Sequence, residues 1–268
     1  MWFICNKYNK SNSCFIKNFL KMKSENNSMI SVCMATYNGQ KYIKEQIDSI
    51  LCQLGPADEL VISDDHSTDL TPDIIKSYDD KRIKFFYNEL KKGVTHNFEN
   101  ALLKSKGDIL FLADQDDVWL PSKLNKMVDF MRQGGYDVVE CNCALVDEKL
   151  NVIKERYYCK EFPQRKSLLG NFVVSSWLGS CMAFKRKVVE AALPFPEKIA
   201  LHDLWLSFYA QIHFKCGYLP DVMQLYRRHS ETVSFCGGKS RNSLYYKLNY
   251  RAYLAWHLFV RSFLKHKK

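Results

Sequence analysis

Two clusters of carboxylates directly follow short apolar runs in this sequence. Asp64-Asp65-His66-Ser67-Thr68-Asp69 comes after Glu59 to Ser63, and Asp114-Gln115-Asp116-Asp117 comes after Ile109 to Ala113. A third polar group, Thr36-Tyr37-Asn38, ends the run from Met29 to Thr36. Open α/β sheets bind ligands beyond the carboxyl ends of their strands, so all three groups are expected on one edge. Carboxylates brought together repel, and a cation or hydrogen-bond donors must neutralise them. A hard divalent cation, Mg2+ or Mn2+, suits such a place, because it takes one or two protein carboxylates and completes its shell with water and substrate phosphates. The sequence has no G-x-G-x-x-G and no Walker loop, so a bound diphosphate would depend on metal bridging rather than on a backbone cradle. Asp64, Asp65 and Asp69 are also suited to capping turns and helices. An EF-hand loop is excluded: Trp119 stands where the turn takes Gly, and Asn125 where the loop takes Glu.

The elements that must position these groups follow from hydrophobic periodicity. Ile43, Ile47, Ile50, Leu51 and Leu54 have helical spacing after the first strand, and Gly55-Pro56 stops that helix. Thr71-Pro72-Asp73 has the signature of a helix start, Ile83 to Tyr87 reads as a strand, and Thr95 to Ser105 as a helix ending at Gly107. After Ile109 to Ala113, Pro121 is expected to open a helix closed by Gly134-Gly135, and Asp137 to Leu145 is the next strand. Alternating strands and helices over 29–145 predict an α/β fold with a doubly wound, mostly parallel sheet. The pattern then loosens into a mixed C-terminal part: a charged loop at 146–166, a strand from Ser180 to Lys185, a helix from Asp203 to Phe214 and a strand from Val222 to Tyr226.

The chain has 268 residues, 47% of them hydrophobic and 25% charged, which excludes collagen-like and wholly disordered classes. The apolar run Ala252 to Val260 is far short of the ~20 residues a spanning helix needs. The start of the chain has the wrong charge order for a secretory signal, so a cytoplasmic protein is expected. The net charge of +10 is concentrated in the tails: residues 1–28 hold five Lys against Glu25, and 239–268 hold eight Lys/Arg and no acid. The body, 29–238, is slightly acidic, which disfavours a nucleic-acid partner. Ten cysteines without a Cys-x-x-Cys pair read as free thiols rather than a zinc or disulfide framework.

The runs Ile30 to Gly39, Ile62 to Asp69 and Asp114 to Trp119 resemble the family 2 glycosyltransferases, inverting enzymes of the GT-A nucleotide-sugar fold. The resemblance extends through Leu193 to Pro196, His202-Asp203-Leu204-Trp205-Leu206 and Tyr226-Arg227-Arg228-His229, covering roughly 29–235. Within the family the chain is most similar to rhamnosyltransferase-like enzymes of capsule and O-antigen synthesis. The resemblance implies that Thr36, Tyr37 and Asp65 border the nucleotide, that Asp116 and Asp117 form the metal-binding motif with Asp117 the direct ligand, and that Asp203 is the catalytic base. It places Arg227, Arg228 and His229 where a C-terminal segment closes over the diphosphate, with His229 against the metal. Two positions depart from the family pattern: His66 stands where Gly is frequent, and His202 replaces an acid before the base. Residues 1–28 form an N-terminal extension outside the resemblance.

Glycosyl transfer needs a base for the acceptor hydroxyl and relief of charge on the departing diphosphate, roles that fit Asp203 and the metal motif. Trp177 and Trp205 suit either stacking on sugar rings or core packing. The expected activity moves a sugar from dTDP-rhamnose or a UDP-sugar to a glycan hydroxyl with inversion, in surface polysaccharide synthesis. A sugar nucleotidyltransferase is the alternative enzyme, although Tyr37-Asn38-Gly39-Gln40 is not its usual Gly- and Arg-rich loop; a non-catalytic nucleotide-sugar-binding module at the membrane is the other. Residues 239–268 read as a basic amphipathic helix, with Lys247, Arg251, Arg261 and Lys265 within about 80° of arc beside Leu248, Tyr253, Leu254, Trp256, Leu258, Phe259 and Phe263. That pattern suits a helix lying on the inner face of the cell membrane, where a lipid-linked acceptor would be met, or a helix packed on protein.

Overall fold

A computed structural model describes residues 28–160, 163–164, 167–173, 176–229 and 244–265. Strand β1 (Ile30–Thr36) is buried along its whole length. Its alternate residues serve two cores: Ile30, Val32 and Met34 join one, Cys33 and Ala35 the other. This two-sided burial is why the strand reads as a continuous apolar run. Helix α1 (Ile43–Leu51), β2 (Glu59–Asp64), α2 (Thr71–Lys76), β3 (Ile83–Tyr87), α3 (Val94–Lys104) and β4 (Ile109–Asp114) follow. Helices α1 and α2 pack in the first core through Ile43, Ile47, Ile50 and Ile75, whereas α3 packs in the second through Phe98, Ala101 and Leu102. The sheet is therefore covered on both faces, as expected of a doubly wound fold.

The later elements are β5 (Val118–Trp119), α4 (Lys123–Gln133), β6 (Val138–Val146), β7 (Val152–Lys154), α5 (Leu168–Val173), a 3-10 turn (Gly179–Cys181), β8 (Met182–Lys185), α6 (Arg186–Ala192), α7 (His202–His213), β9 (Cys216–Arg227) and α8 (Leu244–Lys265). Among the described residues nine strands form one sheet in the order β3-β2-β1-β4-β8-β6-β9-β5, with β7 beside β6. Strands β3, β2, β1 and β4 are parallel, β8 is antiparallel to β4 and β6, and β9 is parallel to β6 but antiparallel to β5. Register aligns Thr36 with Asp64 and Ala35 with Asp114, so β1, β2 and β4 end together.

Several local expectations change. The helix expected from Pro121 begins at Lys123, because Ser122 takes a left-handed backbone with φ of 70°. The expected loop at 146–166 contains β7, and the strand expected at 222–226 begins at Cys216. Helices α5 and α6 are not legible in the sequence, being six and seven residues long. The described cysteines, seven in number, are free thiols; Cys5, Cys14 and Cys236 lie outside the described residues, as does the extension apart from Ser28.

The C-terminal helix divides its surface. Leu254 and Leu258 are buried in the second core. Arg261 donates to the carbonyls of Ala192, Leu193 and Pro194 and lies over the Trp205 ring. The expected basic stripe is thus broken, since Arg261 faces inward to satisfy carbonyls at the end of α6. Ser262 meets His213 at 2.9 Å, and the Tyr253 hydroxyl accepts from the Lys198 backbone at 3.2 Å. Trp177 and Trp205 are buried in the same core, and Trp205 Nε1 donates to Ala192 O, so both pack rather than present a ring face.

Candidate active site

The turn after β1 and the loop after β2 are laced together. Thr36 donates to Asp64 Oδ2 at 2.7 Å, and Asn38 N donates to Ser67 Oγ while its Oδ1 accepts from Thr68 N. Gly39 N reaches Thr71 Oγ1, and Gln40 N reaches Asp69 Oδ2. Asp64 and Asp69 are therefore the turn-holding acids of their cluster, which satisfies their charges with donors. Asp65 faces the other way: its oxygens accept from Asn88 Nδ2 and Gly93 N, and it lines a cavity. His66 occupies a left-handed conformation, φ 61°, where Gly would be unstrained. Its ring offsets this by stacking on Tyr87, with centroids 5.4 Å apart, and by contacting Asn88 O through Nε2 at 3.1 Å.

Gln115 ties the acidic segment after β4 to the first turn. Its amide accepts from Tyr37 N and donates to Tyr37 O, both at 2.9 Å, imitating a strand pair. A Cβ at residue 39 would overlap that amide, so any larger residue there would displace Gln115 from Tyr37.

These loops enclose a cavity of about 680 Å³ at the carboxyl ends of β1, β2 and β4, within the range of small-molecule sites. Thr36, Tyr37, Asp65, Asp116 and His229 all line it, so the structure brings five of the expected site residues together. Asp114, Asn97, Lys41 and Tyr226 line it as well. Asn97 escapes a reading of the sequence: it donates to Thr36 O at 3.0 Å, and its Oδ1 is buried without a partner. The one available signal is an amide beside Phe98 on the buried side of a helix.

His229 Nε2 lies 2.7 Å from Asp116 Oδ2. Burial first, then the charges of Asp116 and Asp203, push the Asp114 carboxyl up to about 7. Asp117 is also raised well above the carboxylate range, by burial and then by Asp116 and Asp114. Asp117 does not line the cavity: Oδ1 accepts from Arg227 N at 3.0 Å and Oδ2 from Gln224 Nε2 at 2.9 Å. Gln224 in turn accepts from the buried Lys123 ammonium, which also donates to Ser180 O. Among the described residues no three His, Cys, Asp or Glu side chains form a ready-made metal cage. The donor set that faces the cavity, Asp116 and His229 with Asp114 adjacent, fits a cation that draws its remaining ligands from substrate phosphates and water.

Arg227 is committed to structure. Its guanidinium is buried, bonds Glu45, Asp116 O and Glu148 O, and stacks on Tyr42 at 4.5 Å. Arg228 is half-buried, its backbone N–H donates to Val146 O, and neither arginine lines the cavity. Asp203 lies in the first turn of α7 rather than at its N-cap, which is Leu201. Its Oδ1 accepts from Leu204 N at 2.7 Å, and burial raises its carboxyl to about 6. It does not line the cavity, but its charge acts on Asp114. His202 beside it stacks on Phe98, at 3.9 Å between centroids, and neither ring nitrogen has a partner.

The chain resembles proteins of known description. It is 27% identical over 234 residues to a GalNAc(5)-diNAcBac-PP-undecaprenol beta-1,3-glucosyltransferase of Campylobacter jejuni, covering 85% of this chain and 71% of that one. It is 31% identical over 121 residues to the UDP-Glc:alpha-D-GlcNAc-diphosphoundecaprenol beta-1,3-glucosyltransferase WfgD of Escherichia coli, 42% of this chain and 48% of that protein. The crystal structure of S. aureus TarS 1–349 with UDP-GlcNAc superposes with a TM-score of 0.65 at 22% identity, over 84% of this chain and 66% of TarS. The mannosyltransferase PcManGT of Pyrobaculum calidifontis, in complex with GDP-Man and Mn2+, gives 0.57 at 19% identity, over 81% of this chain and 65% of its own. At these identities the two structures share the fold, and this chain spans about two thirds of each. Residues 31–193, more than half of the chain, match the model of glycosyl transferase family 2, and the chain belongs to that family.

Proposed function

We propose that this chain transfers a sugar from a nucleotide-diphosphate donor, a UDP- or dTDP-sugar, to a hydroxyl of a lipid-linked glycan, with inversion, in surface polysaccharide synthesis. The observation that carries this reading is the arrangement of one cavity: Asp65 and Thr36 with the interlaced loops, Asp114, Asp116 and His229 on the same wall, and Asp203 in electrostatic contact with Asp114. The two undecaprenol-linked acceptors named for relatives support the acceptor class, and the nucleotide sugars held by TarS and PcManGT support the donor class.

Thr36, Tyr37 and Asp65 would position the nucleotide. Asp116 and His229, with Asp114 beside them, would hold Mg2+ or Mn2+, while Asp117 braces the segment through β9. When bound, the cation supplies positive charge opposite the departing diphosphate. Asp203 accepts the acceptor hydroxyl's proton as that oxygen bonds the anomeric carbon and the bond to the diphosphate breaks. Its raised carboxyl keeps it basic enough to take a proton yet ionised near neutrality.

A panel of UDP- and dTDP-sugars tests this. One donor should raise the thermal unfolding midpoint only with Mg2+ or Mn2+ present, and should yield free nucleoside diphosphate when a lipid-linked glycan is added. Protection unchanged by a chelator overturns the metal assignment, and metal-dependent protection without turnover on any acceptor favours the non-catalytic module.

A further inference from the structure

Helix α8 presents an aromatic face that the other described residues leave uncovered. Leu248, Trp256, Phe259 and Phe263 are 59%, 63%, 56% and 61% exposed. With the exposed Ala252 and Ala255 they span about 100° of helix arc. The packed residues Leu254, Leu258 and Arg261 lie on the opposite side, so the outward face is not a loose edge of the core. Isolated exposed apolar residues are ordinary, but a contiguous stripe of three aromatics and a leucine is not.

We infer that α8 is an interfacial anchor whose outward aromatic face enters the headgroup region of an anionic lipid bilayer while its inward face stays docked on the domain. The charge of the segment selects this occupant. The sequence from 239 to 268 holds eight Lys/Arg and no acid; besides the inward-facing Arg261, seven remain to complement an anionic surface. Trp and Phe over a basic segment are what a monotopic helix uses to sit at headgroup depth. Among the described residues no helix is long and apolar enough to cross a membrane. The inference deepens the proposed transfer to a lipid-linked acceptor by naming the surface that meets the bilayer. Vesicle binding without donor or acceptor tests it separately from that transfer.

The full chain is mixed with vesicles of 30% phosphatidylglycerol in phosphatidylcholine, or of phosphatidylcholine alone, and sedimented at low salt. Binding is expected to the anionic vesicles, weakened by added salt, with a partition coefficient reduced at least about tenfold in Trp256→Ser/Phe259→Ser/Phe263→Ser. That variant should keep its thermal midpoint, because the replaced rings are outside the core. Wild-type protein left in the supernatant, or a triple variant that binds as wild type does, overturns the inference. So does a wild-type dimer that ignores vesicles and becomes monomeric in the variant, which would assign the face to a second copy.

Discussion

Raising the Asp203 carboxyl to about 6 has a kinetic consequence that an ordinary carboxylate would not. With that value the group is about 90% ionised at pH 7 and about 10% at pH 5, whereas a carboxylate near 3.8 stays almost fully ionised across the interval. Turnover at saturating donor and acceptor should therefore fall nearly tenfold from pH 7 to pH 5, following the base form. Saturating donor matters because Asp114, raised to about 7, also titrates in the free protein and would otherwise blend donor binding into the profile. Asp203→Asn keeps the size of the side chain and an oxygen for Leu204 N but cannot take up the proton. Its turnover should be 10²- to 10⁴-fold lower, with donor affinity retained and the acid limb gone. Release of nucleoside diphosphate, followed by a coupled assay whose own pH response is calibrated, gives both measurements. A flat profile between pH 5 and 7, or a variant with near-normal turnover, refutes the assignment of Asp203 as base.

Asp116→Ala should abolish metal-dependent protection by donor, measured as the midpoint shift with and without chelator, while the apo fold survives. Asp117→Ala should instead lower the apo midpoint as well, because it strands Arg227 N and one of the two Gln224 Nε2 hydrogens, the other keeping Ser180 Oγ, at ~1–3 kcal/mol for a buried donor left unpaired; denaturant titration measures this. Gly39→Ala should expel the Gln115 amide from Tyr37 and weaken donor binding, and combining it with Gln115→Ala should show non-additive losses in the same assay. Glu140, buried beside Tyr158 and Leu178 N, is raised by burial to about 8. Its folded value exceeds the unfolded one, so its contribution is full below about pH 4.5 and is lost as pH rises toward 8. Thermal midpoints should decline over that window, and Glu140→Gln should flatten the decline.

Strands β1, β2 and β4 are legible in the sequence because each is buried on both faces and stops at a polar group, a local signal. The convergence of Asp65 and Asp116 on one cavity follows from their parallel register. What escapes is pairing across the chain: Asp117 is expected as the direct metal ligand, yet β9 delivers Gln224 and the Arg227 amide to both its oxygens. Arg227 likewise looks like a phosphate ligand until Glu45, some 180 residues earlier, is seen to hold it. Asn97 is marked only by its place beside Phe98 on the buried side of a helix, and α8 shows its amphipathic character but not which basic residue turns inward, since the acceptor carbonyls lie at the end of α6.

The placement of β9 between β6 and β5 means that the last strand among the described residues is interior to the sheet. In chain order, every strand of the β3-β2-β1-β4 half precedes it. Its C-terminal end brings His229 to Asp116 and Arg227 to Glu45. A chain ending before residue 216 would lack Gln224, Arg227 and His229 together, and with them both donors that hold the Asp117 oxygens and the ring that meets Asp116.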